Sequence, residues 1–315
     1  MNLRTLIAAA ALLLASCATT ADTQPAGNLQ LVDLTDDFAE TWDRTQQLDG
    51  PARLAAFKAH FDPIIPGFYS HERHGMPADK YDGLFAGALT RFPDKREATA
   101  AMAQRFASLI RPAERRFGQE FGPLSGFRPI YLVTSLGEFD GGMRTLGGKG
   151  YLMFGADVMA ELYANRSPQP FLHHELFHLY HTRTFDDCSA VWCNLWNEGL
   201  ATYVAHRMNP GATDDELLLT NPVPLRQAVE ANRQEAVCAV RDRLDSTDRK
   251  DNAALFSSGR LSERLPGRFG YYVGYLAAAE AGKTRSLKEL AQLGNEEVRP
   301  LLEASLRGLA DCPSA

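Results

Sequence analysis

The chain has 315 residues, with 33 Lys+Arg against 39 Asp+Glu, a formal net charge of −6, 45% hydrophobic residues and 5 cysteines. That length suits one large domain or two small ones, and a 23% charged fraction is that of a folded chain rather than a disordered one. The mildly acidic balance gives no electrostatic case for nucleic acid, and no uncharged apolar run of about 18 residues predicts a spanning helix.

Residues 1–16 place one basic residue, Arg4, ahead of an apolar run from Leu6 to Ala15. This is the pattern of a secretory signal peptide, and it is too short for a membrane span. Leu14-Ala15-Ser16-Cys17 resembles the bacterial lipoprotein box, in which the cysteine is lipidated and becomes the new N-terminus. The resemblance implies a lipid on Cys17, contact with the membrane through that lipid only, and a place in the bacterial cell envelope. Ala18 favours the outer membrane, facing the periplasm. A signal peptide cut without lipidation is the plain alternative. Residues 17–28 are small and polar, include Pro25, and read as a flexible tether.

With Cys17 assigned to lipid, four cysteines remain, an even number that fits two disulfides in an oxidising compartment. Cys188 and Cys193 are near neighbours, and pairing them leaves Cys238 with Cys312. Other pairings, free thiols and a thiolate zinc site stay open as alternatives.

Residues 29–125 form a helical region. From Leu31 to Gly122 the apolar pattern is helical: Phe38, Trp42 and Thr45 share a face, Pro51 starts a second helix, and Pro77–Phe92 reads as a third. Met102, Phe106, Ile110, Phe117 and Phe121 predict a long helix that Pro112 is expected to kink or split. The pattern changes at Gly126. Residues 129–134 read as a strand, the glycine-rich stretch 137–150 as a hairpin loop or the edge of a substrate cleft, and Tyr151–Phe154 as a second strand. Beyond Pro170, helices are predicted near residues 170–184, 195–208, 224–244, 268–281 and 298–309. Helices, a small sheet and more helices make an α+β fold, mostly helical, with a small mixed β-sheet ahead of the central motif.

That motif is His174-Glu175-Leu176-Phe177-His178, an H-E-x-x-H sequence in an apolar segment. On a helix, His174 and His178 lie one turn apart and point the same way, so two imidazoles can bind one Zn²⁺. Glu175 is rotated off that direction, where it can take a proton from water beside the ion without ligating it. A catalytic site needs a third protein ligand, for which His181, Asp186, Asp187 and Glu198 are candidates.

Glu198 lies twenty residues after His178 in Asn197-Glu198-Gly199-Leu200-Ala201-Thr202-Tyr203. H-E-x-x-H followed by N-E-G-x-A-x-Y resembles the gluzincin metallopeptidases, and with the leader it is similar to the predicted secreted zinc-dependent proteases of bacteria. The resemblance implies a zincin-like fold over residues 126–315 and one Zn²⁺ per chain on His174, His178 and Glu198. It also implies Glu175 as the general base in hydrolysis of a peptide or protein substrate. The metzincin pattern needs Gly and His where this chain has His181 and Thr184.

Gly270-Tyr271-Tyr272-Val273-Gly274 is similar to the Tyr-x-x-Gly of the aminopeptidase branch, which implies Tyr271 as the oxyanion donor. Tyr272 competes for the role, and both tyrosines also suit a packed helix face. The G-A-M-E-N type strand that grips a substrate amino terminus has only a faint echo in Gly141-Gly142-Met143-Arg144, so exopeptidase action is not implied. A non-catalytic zinc-site lipoprotein that binds a peptide or protein partner is the alternative reading, and zinc hydrolysis of a non-peptide bond is a third. Among nearby residues, His173 and His181 read as surface or supporting groups, and Asn197 as a helix cap or a partner for a buried backbone group. Asp157 reads as a strand-end cap or a partner orienting a ligand histidine.

Overall fold

The computed structural model describes residues 29–313; the leader, Cys17 and the tether lie outside the described residues. Short runs of β-branched, aromatic and glycine residues assemble one four-stranded sheet from β1 (Leu31–Asp33), β2 (Ile130–Val133), β3 (Gly141–Leu146) and β4 (Lys149–Gly155). The order is β1-β2-β4-β3. β1–β2 and β2–β4 pair parallel, and β3–β4 pair antiparallel, so the sheet is mixed.

Two of these strands differ from the sequence reading. β1 is only three residues long, too short to interrupt a helical pattern. The glycine-rich stretch becomes the edge strand β3, because Gly147 and Gly148 close a two-residue hairpin at φ 54° and 74°, a backbone region that glycine takes freely.

Side chains alternate across the sheet as strand geometry requires. Ile130, Leu132, Leu152 and Phe154 face the larger core. Tyr131, Val133 and Met153 face a second core filled by Phe38, Phe57, Phe61 and Phe92. Those aromatics come from α1 (Thr35–Arg44), α2 (Gly50–Phe61) and the first half of α4 (Ala78–Phe121), with α3 (His71–His74) between. The change of pattern near residue 125 is therefore not a break in packing: the N-terminal helices cover one face of the sheet.

α4 runs for 44 residues with Pro93 and Pro112 inside it, and Pro112 does not split it. A proline leaves the carbonyl four residues back without its usual donor. For Pro93 that carbonyl is Leu89 O, and the Trp42 indole N–H donates to it at 2.9 Å. Beside Pro112, the Gln169 amide donates to Leu109 O at 3.0 Å. Buried residues at every third or fourth position, from Tyr81 to Phe121, hold the whole helix to the cores.

The remaining helices are α5 (Ala156–Leu162), α6 (Gln169–His181), α7 (Val191–Met208), α8 (Leu225–Ala231), α9 (Arg233–Arg241), α10 (Arg249–Phe256), α11 (Phe269–Ala281), α12 (Leu287–Ala291) and α13 (Asn295–Leu309). The single helix expected over residues 224–244 is two, broken at Asn232. α6, α7 and α11 are buried on nearly every side and form the middle of the larger core. Cys188–Cys193 and Cys238–Cys312 are both disulfide-bonded, with Cα atoms 5.7 and 5.5 Å apart. The first closes the loop between α6 and α7, and the second ties the C-terminus to α9. Among the described residues no helix is long and apolar enough to cross a membrane.

Candidate metal centre

α6 and α7 pack side by side, and their facing residues bring the two motif segments together. His174 and His178 present their Nε2 atoms 2.9 Å apart from successive turns of α6. Glu198 Oε2, from α7, lies 3.3 Å from His174 Nε2 and 3.5 Å from His178 Nε2. These three side chains can hold a metal ion. The other candidate third ligands do not join them: Asp186, Asp187 and His181 lie on the wall of the same cleft, and His181 turns Nδ1 to Asn197.

Asn197 supplies a contact that its sequence position did not reveal. Its Oδ1 accepts from Nδ1 of both His178 and His181, at 3.2 Å each. With a proton held on Nδ1, a His178 that gives up its Nε2 proton to a metal presents the Nε2 lone pair, the tautomer a metal needs. His181 is buried, stacks flat on Phe185 at 4.8 Å, and leaves Nε2 without a partner. Burial lowers its pKa to about 4, so it stays neutral. It braces Asn197 rather than facing solvent. His173 is likewise buried, with Nδ1 against the Asn209 amide at 2.8 Å. Replacing Asn197 with Ala is expected to weaken metal affinity by about 10–100-fold with the fold intact, measured by competition with a metal chelator.

The electrostatics of the cluster follow from burial and proximity. Burial pulls His178 down, but the adjacent Glu198 carboxylate outweighs it and raises the pKa to about 9. Burial pushes Glu198 up, yet the His178 and His174 rings hold it far below the usual carboxylate range. Burial lowers His174. Glu175 is 6% exposed, and its Oε2 is buried without a partner. Burial pushes its pKa up to about 8, with the His178 ring opposing the rise. An unpaired carboxylate oxygen in such a place is costly unless a proton or a cation meets it.

Tyr271 is set by a contact between two glycines. Gly199, next to Glu198, and Gly274, one turn after Tyr271, lie where α7 crosses α11. A methyl group at either would run into backbone of the other helix. This close approach carries Tyr271 to the cleft wall with His174, His178 and Glu198. Burial raises the Tyr271 pKa well above the ordinary tyrosine value, and Glu198 adds to the rise, so the hydroxyl keeps its proton. Tyr272 points elsewhere: its hydroxyl donates to Glu230 at 2.8 Å and accepts from Arg226 at 3.1 Å. Gly199→Ala is expected to cost about 1–3 kcal/mol from overpacking, read as a lower denaturation midpoint with bound metal also reduced.

The cleft has a volume of about 1010 Å³. Its walls are β3, the cluster face of α6, the loop after α6, a segment over residues 215–221, and the start of α11. Asp140, Arg144 and Arg268 also reach it; Arg144 ends the Gly141–Arg144 echo, and no motif marks Asp140 or Arg268, which come from a loop and a helix start distant in sequence. Tyr163 donates to Asp140 at 2.9 Å. Asp157 does not orient a ligand histidine. Its carboxylate accepts from the backbone N–H of Ser135 and Gly137, each at 2.7 Å, and so caps the turn after β2.

No protein-family profile, curated protein or solved structure matches the chain.

Proposed function

We propose that the chain is a zinc-dependent peptidase with a zincin-like fold, held in the bacterial cell envelope by a lipid on Cys17. The observation that carries this reading is the meeting of His174 Nε2, His178 Nε2 and Glu198 Oε2 in one cleft with the buried, unpartnered carboxylate of Glu175. Two imidazoles, one carboxylate and a side open to the cleft suit catalytic Zn²⁺. The ion would supply a Lewis acid that polarises a carbonyl and acidifies water.

The chain's own residues divide the remaining work. Glu175 takes the proton of the attacking water as its oxygen bonds to the scissile carbon. It then gives that proton to the departing amine as the C–N bond breaks. The Tyr271 hydroxyl donates to the oxyanion. β3 is the edge strand of the sheet and lines the cleft. Arg144 holds the Met143 carbonyl and Asp140 the Gly141 N–H, and the other outward backbone groups of β3 suit an extended peptide added as a further strand, which supports a peptide substrate.

The test is digestion of a proteome-derived peptide mixture by the purified full chain. Cleavage that a chelator stops and added zinc restores is expected. A zinc-loaded chain that leaves the mixture intact contradicts the proposal and favours a non-catalytic binder. The two disulfides support an oxidising compartment. Cys17→Ala is expected to move the protein from the membrane to the soluble fraction, and a variant still in the membrane fraction contradicts the lipid anchor.

A further inference from the structure

We infer that Arg268 is the cleft's receptor for a carboxylate carried by the substrate. The inference rests on the peptidase reading and names a chemical feature its substrate must have. Three arginines line the cleft, and two of them are already engaged. Arg166 pairs with Asp215 at 2.8 Å, though its Nε is also buried without an acceptor. Arg144 donates to the Met143 carbonyl at 2.9 Å and lies 3.9 Å from Glu138. Among the described residues, Arg268 has no carboxylate within ion-pair distance, and its buried Nε has no acceptor.

The backbone holds this cation in place against its own preference. Arg268 caps α11 at φ 67°, in the left-handed region that disfavours side chains with a Cβ. The preceding Gly267 packs so tightly that a Cβ there would approach Ser257 O to 2.6 Å and Gly259 O to 2.7 Å. The loop therefore cannot relax easily at that side. The guanidinium lies 4.7 Å over the Tyr271 ring, which fixes its plane beside the tyrosine proposed to meet the reacting carbonyl. A planar fork of donors with an unpaired buried N–H matches a carboxylate better than any neutral group. A bound carboxylate would relieve the uncompensated charge. The carboxylate can belong to the C-terminus of a peptide or to an Asp or Glu side chain near the scissile bond; both present the same oxygens to the same fork.

The test uses the full-length, zinc-loaded Glu175→Gln protein, which is expected to bind peptides without cleaving them. It is immobilised and offered three synthetic peptide mixtures. One has free C-termini and no Asp or Glu, one has amidated C-termini with Asp and Glu, and one has amidated C-termini with neither. Retention is read by mass spectrometry. At least one carboxylate-bearing mixture is expected to be retained about tenfold better than the carboxylate-free one. Whichever mixture is retained identifies the source. Adding Arg268→Gly should erase the difference, and Arg268→Lys should restore only part of it, because a point charge lacks the fork. Glycine suits the left-handed backbone, so the Arg268→Gly protein should fold and keep its zinc.

Equal retention of all three mixtures, no retention of any, or a preference unchanged by Arg268→Gly overturns the inference. So does an Arg268→Gly protein, otherwise wild type, whose kcat falls equally on carboxylate-bearing and carboxylate-free peptides. That result would make Arg268 a positioning residue for Tyr271. Chelator-sensitive hydrolysis that ignores carboxylates removes this inference and leaves the peptidase reading. Carboxylate-dependent retention with no hydrolysis by the zinc-loaded wild-type chain does the reverse.

Discussion

Glu175→Gln is expected to retain the metal and lose hydrolysis by about 10²–10⁴-fold in kcat, the usual contribution of a positioned general base. Glutamine keeps the size of the side chain and cannot accept the proton. The native carboxylate sits in the cleft with one buried, unpartnered oxygen, so its replacement breaks no hydrogen bond at that atom. Thermal stability should accordingly change little, since glutamine keeps the shape and no hydrogen bond at that oxygen is lost. The pH profile gives a second check. The base must be ionised to act, so activity rises as pH climbs through the Glu175 pKa. Burial places that value at about 8, and a divalent cation beside the carboxylate lowers it. The acid limb of the kcat profile should therefore lie below about 8 and vanish in Glu175→Gln. Turnover near the wild-type rate with metal bound would remove Glu175 from the mechanism.

Tyr271→Phe should reduce kcat by about 10²–10³-fold and leave KM nearly unchanged, because an oxyanion donor acts on the transition state and not on the bound substrate. The hydroxyl faces the cleft beside the cluster, and burial keeps it protonated across the working pH range. Tyr272→Phe is the control. It removes bonds to Glu230 and Arg226, so it should cost stability, about 1–2 kcal/mol, without touching kcat. A Tyr272→Phe protein with the larger kcat loss would exchange the roles of the two neighbours.

Much of the cluster was legible because its chemistry is written in short spacings. His174, Glu175 and His178 fall within a little over one helical turn, and Glu198 sits in its own short segment. What the spacings could not tell is how α6 and α7 meet. The Asn197 contact with two imidazoles depends on that packing, so the residue looked like a cap. Which of Tyr271 and Tyr272 reaches the cleft depends on how the Gly199–Gly274 contact turns α11, a long-range fact. Arg268 was invisible for the same reason.

The fold was read best where periodicity is long and worst where it is short. α4 was expected to kink or split at Pro112, and it is not split; an expectation based on one proline ignores the distant Gln169 and Trp42 that bond to carbonyls near the two prolines. β1 and β3 were missed because three residues and a glycine-rich run carry little apolar alternation; only pairing with β2 and β4 makes them strands. Both disulfides follow the favoured pairing, since the α6–α7 loop is short and the C-terminus folds back on α9.

The most direct measurement is zinc per chain in the purified full-length protein, alone and with His174→Ala or Glu198→Ala. About one zinc per wild-type chain and almost none in either variant is expected, because each substitution removes one of the three side chains proposed to hold the ion. A wild-type chain with well below one zinc, or variants that bind as much as the wild type, would contradict a metal centre at His174, His178 and Glu198.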